Sequence, residues 1–79
     1  MRLKVGMIVR CIKPYDGNFD IVGKIGKVIY VYSHPDGCSV EFNERIKRGH
    51  NGNFYGKNGF CWNMPECCVI PFNQKHRIK

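Results

Sequence analysis

The chain has no apolar run approaching the ~20 residues that a membrane-spanning helix needs. Its 79 residues also contain no internal repeat, no low-complexity tract and no amphipathic helical pattern. The amino terminus, Met1-Arg2-Leu3-Lys4-Val5-Gly6, lacks the apolar core and small-residue cleavage site of a secretory signal, so a cytoplasmic product is expected. Acidic residues are scarce. Six Asp and Glu face thirteen Lys and Arg, a formal net charge of +7, and a field of that sign favours acidic partners. Nucleic acid, an acidic protein surface and an anionic membrane would all feel it, and charge alone does not separate them. A surplus of this kind also keeps a small protein soluble without any partner.

Metal-knuckle spacing is missing too. The five cysteines, at 11, 38, 61, 67 and 68, are odd in number and lie mostly in strand-like segments, unlike a secreted disulfide framework. Neither Cys61-x5-Cys67 nor the adjacent Cys67-Cys68 has the Cys-x2-Cys pairing of structural zinc, so even with His50 nearby no metal and no other cofactor is assigned. Cys11, Cys38 and Cys61 read as small, reduced, buried hydrophobes. His34, His50 and His76 fall in a turn, a glycine-rich stretch and a tail, and none belongs to a nucleophile motif. A domain of this size offers no evident cleft to exclude water from a Cys-His pair. A non-enzymatic protein is expected.

What is present reads as strands. The hydrophobic share of 43% is ordinary for a globular domain. A chain this short buries only roughly 60% of its unfolded surface, so one small core is expected. The clearest stretch is a hairpin with strands at 24–32 and 38–43. Ile25, Val28, Ile29, Tyr30, Val31 and Tyr32 suit a pleated surface, and His34-Pro35-Asp36-Gly37 supplies the turn. Gly23 and Gly26 are expected to let the chain turn into the first arm. Alternation in the second arm puts Val40 and Phe42 on one face and Glu41 and Asn43 on a wet one. Before the hairpin, 6–13 reads as a strand with Met7, Val9 and Cys11 sharing a face, ended by Pro14. A loop over 15–23 should then fold Tyr15, Phe19, Ile21 and Val22 back over the sheet. After it, 44–59 carries Gly49, Gly52, Gly56 and Gly59 and is too glycine-rich for a helix. It is either a working loop or an irregular hairpin around Asn51-Gly52. A fourth strand follows at 59–64 with Phe60, Trp62 and Met64 on one face. Pro65-Glu66-Cys67-Cys68 fits a 3₁₀ turn, 69–72 a short edge strand, and 73–79 a basic, fraying tail.

This order predicts an all-β, SH3-like, five-stranded small barrel over 1–72, with a long Gly/Asn-rich loop and a short 3₁₀ turn before the last strand. Gly6, the segment Val22-Gly23-Lys24-Ile25-Gly26-Lys27-Val28 and Ser39-Val40-Glu41-Phe42 resemble the opening half of CAP-Gly and KOW-type barrels. The second half, from Gly49 through Gly59-Phe60-Cys61-Trp62 to Pro65 and Val69, is similar in layout to CAP-Gly domains and to short stand-alone barrels of bacteria and their phages. The CAP-Gly resemblance would imply a loop gripping acidic carboxy-terminal tails. Here Gly56-Lys57-Asn58-Gly59 lacks the Asp of that family's motif and Gly49-His50-Asn51-Gly52 is an equal counterpart, so the ligand is not carried over. A KOW resemblance would imply RNA- or ribosome-linked partners. Such glycine and core motifs speak for fold rather than function.

The functional lead is aromatic and basic. Tyr15, Phe54, Tyr55 and Trp62 are the candidate anchors of a partner-binding surface, with Arg45, Lys47, Arg48 and Lys57 as steering charges. Rings supply area and stacking while cations attract carboxylates or phosphates. Tyr30 and Trp62 read equally well as core residues of a small barrel. The expected partner is an acidic protein surface, engaged by an adaptor or an inhibitor. A phage-encoded protein blocking a host nucleic-acid-handling factor would fit that size and charge. The alternative is direct binding of DNA or RNA, mainly through phosphates, to which Lys75, His76, Arg77 and Lys79 would add. A third class, a structural subunit, would expose an apolar edge at Val69-Ile70.

Overall fold

The computed structural model describes residues 3–32 and 37–72. Five strands, β1 (Ile8–Cys11), β2 (Ile25–Tyr32), β3 (Gly37–Phe42), β4 (Cys61–Pro65) and β5 (Val69–Pro71), form one antiparallel sheet. Their order is β4-β3-β2-β1-β5. Among the described residues β4 and β5 do not pair, so the sheet is open rather than closed into a barrel. The expected strands are all present, each within two residues or so of its expected bounds. The turn residues 34–36 and the tail 73–79 lie outside the described residues.

Two 3₁₀ turns interrupt the strands. Glu66–Cys68 is the one expected before the last strand, with Pro65 as its N-cap rather than its first helical residue. Phe19–Ile21 was not legible as a helix. It forms because the Asn18 side chain accepts the Asp20 N–H at 3.0 Å, satisfying a donor that a helix start would leave orphaned.

The core lies on one face of the sheet. Val9 and Cys11 from β1, Val28 from β2, Cys38, Val40 and Phe42 from β3, and Trp62 and Met64 from β4 are buried there, with Ile21 and Ile46 brought in from the loops. Cross-strand pairing fixes which side each residue faces. Val28 pairs with Val40, but the next pair is Tyr30 with Ser39, so Ile29 is an extra residue in β2. That β-bulge resets the alternation. Val28 and Val31 both pack on the core, while Tyr30 and Tyr32 turn to the opposite face. The core alternative for Tyr30 is thereby set aside.

β3 departs from the expectation of a strand with one wet side. Ser39 is fully buried between its neighbours. The Tyr32 hydroxyl lies 3.1 Å from Ser39 Oγ, and Ser39 donates to Asn63 Oδ1, so the buried hydroxyl is satisfied. Gly26 and Gly37 are also corrected in role. Neither has a left-handed backbone. A Cβ on Gly26 would meet Glu41 O at 2.6 Å, and one on Gly37 would meet Met64 O at 3.1 Å, so close strand approach is what requires them.

Candidate functional site

Two loops meet above the buried end of the sheet. Tyr15-Asp16-Gly17-Asn18 is a tight turn, with Asn18 N–H donating to Tyr15 O at 3.1 Å and both central residues left-handed, at φ 56 and 73. The long loop docks on it through two reciprocal hydrogen bonds. Asn18 Nδ2 donates to Lys47 O at 2.8 Å, and Lys47 N–H donates to Asp20 Oδ2 at 2.9 Å. That second bond, helped by Lys24, holds the Asp20 carboxyl below the usual carboxylate range. Lys24 Nζ is 3.2 Å from Asp20 Oδ1.

Arg48 is placed by this junction. Its Nη2 donates to Asp16 O at 3.0 Å, and its guanidinium lies 5.2 Å from the centre of the Trp62 ring. Trp62 is only 7% exposed and donates from Nε1 to Tyr15 O at 3.0 Å, tying β4 to the first loop. His50 stacks on the same indole at 5.7 Å. Between Gly17-Asn18-Phe19-Asp20 on one side and Lys47-Arg48 on the other lies an open depression of about 440 Å³. Phe19 stands at its rim, 73% exposed. The expectation that Tyr15, Phe19, Ile21 and Val22 fold over the sheet is therefore corrected for three of the four: only Ile21 is buried.

The tip of the long loop is a second feature. Gly52, Asn53 and Phe54 are successively left-handed, at φ 59, 58 and 72. A non-glycine residue there costs roughly 1–2 kcal/mol, so the surroundings must hold the turn in place. Asn51 accepts Gly56 N–H at 2.9 Å and, through its side chain, Phe54 N–H at 3.1 Å. His50 Nδ1 accepts Gly52 N–H at 2.9 Å. Burial lowers the His50 pKa, favouring the neutral ring that this acceptor role requires. The result lifts Phe54 to 91% exposure. Tyr55 lies back on the sheet, stacked on Tyr30 at 5.0 Å, and Tyr30 meets Tyr32 edge-on at 5.0 Å.

Of the other predicted cations, Lys57 Nζ lies 4.4 Å and the Arg45 guanidinium 5.4 Å from the centre of the Phe60 ring. Lys57 N–H also donates to Glu41 Oε1 at 3.2 Å. The eight predicted residues thus divide into three groups: Tyr15, Lys47, Arg48 and Trp62 at the depression, Phe54 and Tyr55 at the tip, and Arg45 and Lys57 around Phe60. Phe19, Asn18 and His50 are participants that the predicted set omits. Phe19 follows a Gly-Asn turn in polar company, which was a readable sign of exposure. Of the two readings of 44–59, a working loop or an irregular hairpin around Asn51-Gly52, the structure has features of both: no regular strand forms, but Ile46 N–H donates to Gly59 O at 3.0 Å, Gly59 N–H donates to His50 O at 3.1 Å, and His50 and Cys61 form an isolated bridge.

Among the described residues no three His, Cys, Asp or Glu side chains gather as a metal site, and all five cysteines are free. Burial pushes the Cys38 and Cys61 thiols up to about 11. Among the described residues no helix is long and apolar enough to cross a membrane.

Fold and site together define a small all-β domain, an antiparallel sheet open among the described residues, whose long loop presents an aromatic tip and shares a basic depression with the first loop. No family model, curated protein or solved structure matches the chain.

Proposed function

We propose that this domain is a non-catalytic binding module that engages an acidic surface on a partner protein, as an adaptor or an inhibitor. The observation that carries the reading is Phe54, a large apolar ring 91% exposed on a left-handed turn that hydrogen bonds hold in shape. A large exposed ring on a pre-ordered support is what an interface anchor requires, because little ordering entropy is lost on binding. Tyr55 and Tyr30 extend the apolar area beside it. The net charge of +7 steers the acidic partner. For the fold, the sheet order and the 3₁₀ turn before β5 support an SH3-like small barrel. A reducing cytoplasmic setting suits a chain with an exposed thiol at Cys67.

The competing reading, direct binding of DNA or RNA through phosphates, draws on the same charge and rings. Two of the four loop cations, Arg45 and Lys57, lie against Phe60, which favours local contacts over a continuous phosphate track. Two measurements separate the readings. Immobilised wild-type protein should retain a discrete protein that the folded variants Phe54→Ala and Tyr55→Ala do not. Binding to single- and double-stranded oligonucleotides across roughly 50–300 mM salt should be weak throughout. Tight oligonucleotide binding with a steep salt slope would replace the protein reading with the nucleic-acid one.

A further inference from the structure

We propose that the depression beside Lys47 and Arg48 is a carboxylate-binding subsite, which takes an Asp or Glu side chain of the partner on the Arg48 guanidinium and that residue's apolar neighbour on Phe19. The inference rests on the binding-module reading and names the chemistry of one contact within it.

Arg48 is the first reason. It occupies a left-handed backbone, φ 59, that an arginine adopts only under constraint. Its guanidinium is fixed from two directions, by the hydrogen bond to Asp16 O and by the Trp62 ring. One N–H of the fork is used on Asp16. The remaining donors of a planar, pre-oriented fork match a carboxylate, and the flexibility normally lost when an arginine binds is already removed. Asp16 is itself left-handed at φ 56, so two strained residues clamp each other where the turn carrying Gly17 and Asn18 meets Arg48.

The second reason is the composition of the depression. Its lining contains Lys47 and Arg48 as cations, and its one acid, Asp20, is already matched by Lys24 Nζ and the Lys47 N–H. The lining therefore carries a positive excess. Phe19, 73% exposed, gives the apolar surface beside it, and a volume of about 440 Å³ is the size of one or two side chains rather than of a long chain segment. An isolated acid next to an apolar residue fits this pairing. A run of phosphates would have to pass the Asp20 carboxylate, which favours a peptide over a nucleic acid.

Trp62 is the single tryptophan of the chain and lies directly under Arg48, so its indole N–H reports on the site. The test is a titration of the ¹⁵N-labelled full chain with acetyl-Gly-Glu-Leu-Glu-Gly-amide, followed by amide and indole shifts. Binding should move the Gly17, Asn18 and Phe19 amides and the Trp62 indole. The Gln-substituted peptide should move none of them. In Arg48→Asn, chosen because Asn tolerates a left-handed backbone, affinity should fall at least about tenfold, the scale of a lost charge-assisted fork. Absence of binding up to about 10 mM, shifts elsewhere, or unchanged affinity in Arg48→Asn overturns the subsite. A ten-nucleotide oligothymidine that produces the same shifts at lower concentration than the peptide also overturns it, in favour of nucleic acid. Phe54 lies outside the depression, so these failures leave Phe54-dependent partner capture standing. Loss of that capture is what defeats the module reading.

Discussion

Phe54 carries opposing demands at the scale of one residue. Its φ of 72 is costly for a phenylalanine and free for a glycine. Phe54→Gly relieves roughly 1–2 kcal/mol of backbone strain and adds roughly 0.5–1 kcal/mol of unfolded-state entropy. The variant should thus be as stable as wild type or more stable by up to about 1.5 kcal/mol, while losing the partner. A clear destabilisation in urea melts would mean that Phe54 packs in a way its exposure does not show. His50 is held differently. Its pKa is lowered by burial, so the unfolded chain binds the proton more tightly than the folded one. The stability linked to neutral His50 is complete above the unfolded value near 6.5 and declines as pH falls from there towards the lower folded value. Protonation also removes the acceptor of the Gly52 N–H, so the decline should be local to the loop. Urea midpoints for wild type should drop between about pH 7 and 5, and His50→Gln should flatten that slope. Asp20, whose pKa is lowered first by the Lys47 N–H, acts only at more acidic pH.

At the scale of the element, the β2–β3 pair depends on close approach at Gly26. A methyl group there meets backbone at 2.6 Å and Val40 Cγ1 at 2.7 Å. Backbone cannot yield as a side-chain tip can, so Gly26→Ala should cost about 1–3 kcal/mol, read as a lower urea midpoint with unchanged slope. The long loop is packed by the same logic. Ile29, pushed outward by the bulge, lies within 2.6–2.7 Å of where a Cβ on Gly52 or Gly56 would stand, and Cys61 Sγ within 2.6 Å of that on Gly56. The bulge residue is therefore the seat of the loop. A wild-type glycine at 56 lets the chain lie flat on it. The existence of strands at β1, β2, β3, β4 and β5 was legible because β-branched and aromatic residues alternate between turn residues. The bulge was not, since Val28 to Tyr32 is apolar throughout and either face would accept it.

At the scale of the whole molecule, the first and last strands come together. β1 pairs with β2 on one side and with β5 on the other, so Cys11 and Val69 become neighbours across 58 positions of chain. Such distant pairing slows folding relative to local contacts. It also sorts the cysteines by access. Cys11, Cys38, Cys61 and Cys68 are buried and Cys67 is exposed, and burial raises the Cys38 and Cys61 thiols to about 11. Native protein at about pH 8 should therefore release one fast equivalent with a disulfide reagent, and all five only on unfolding. Two or more fast thiols would show that the packing around at least one buried cysteine opens in solution.

Composition, strand periodicity and glycine placement were enough to determine an all-β chain of five short strands, a 3₁₀ turn before the last of them, a positive field and a suspect loop at 44–59. These follow from local preferences, which neighbouring residues settle among themselves. The tertiary structure alone decided that the sheet stays open among the described residues, that Tyr30 faces away from the core, and that Phe19 stands beside Arg48. It also divided the predicted binding residues into a tip, a depression and a cation pair around Phe60. Each of those outcomes depends on contacts between segments far apart in the chain, through one extra residue in a strand or one hydrogen bond between loops, and sequence order carries no record of such distances.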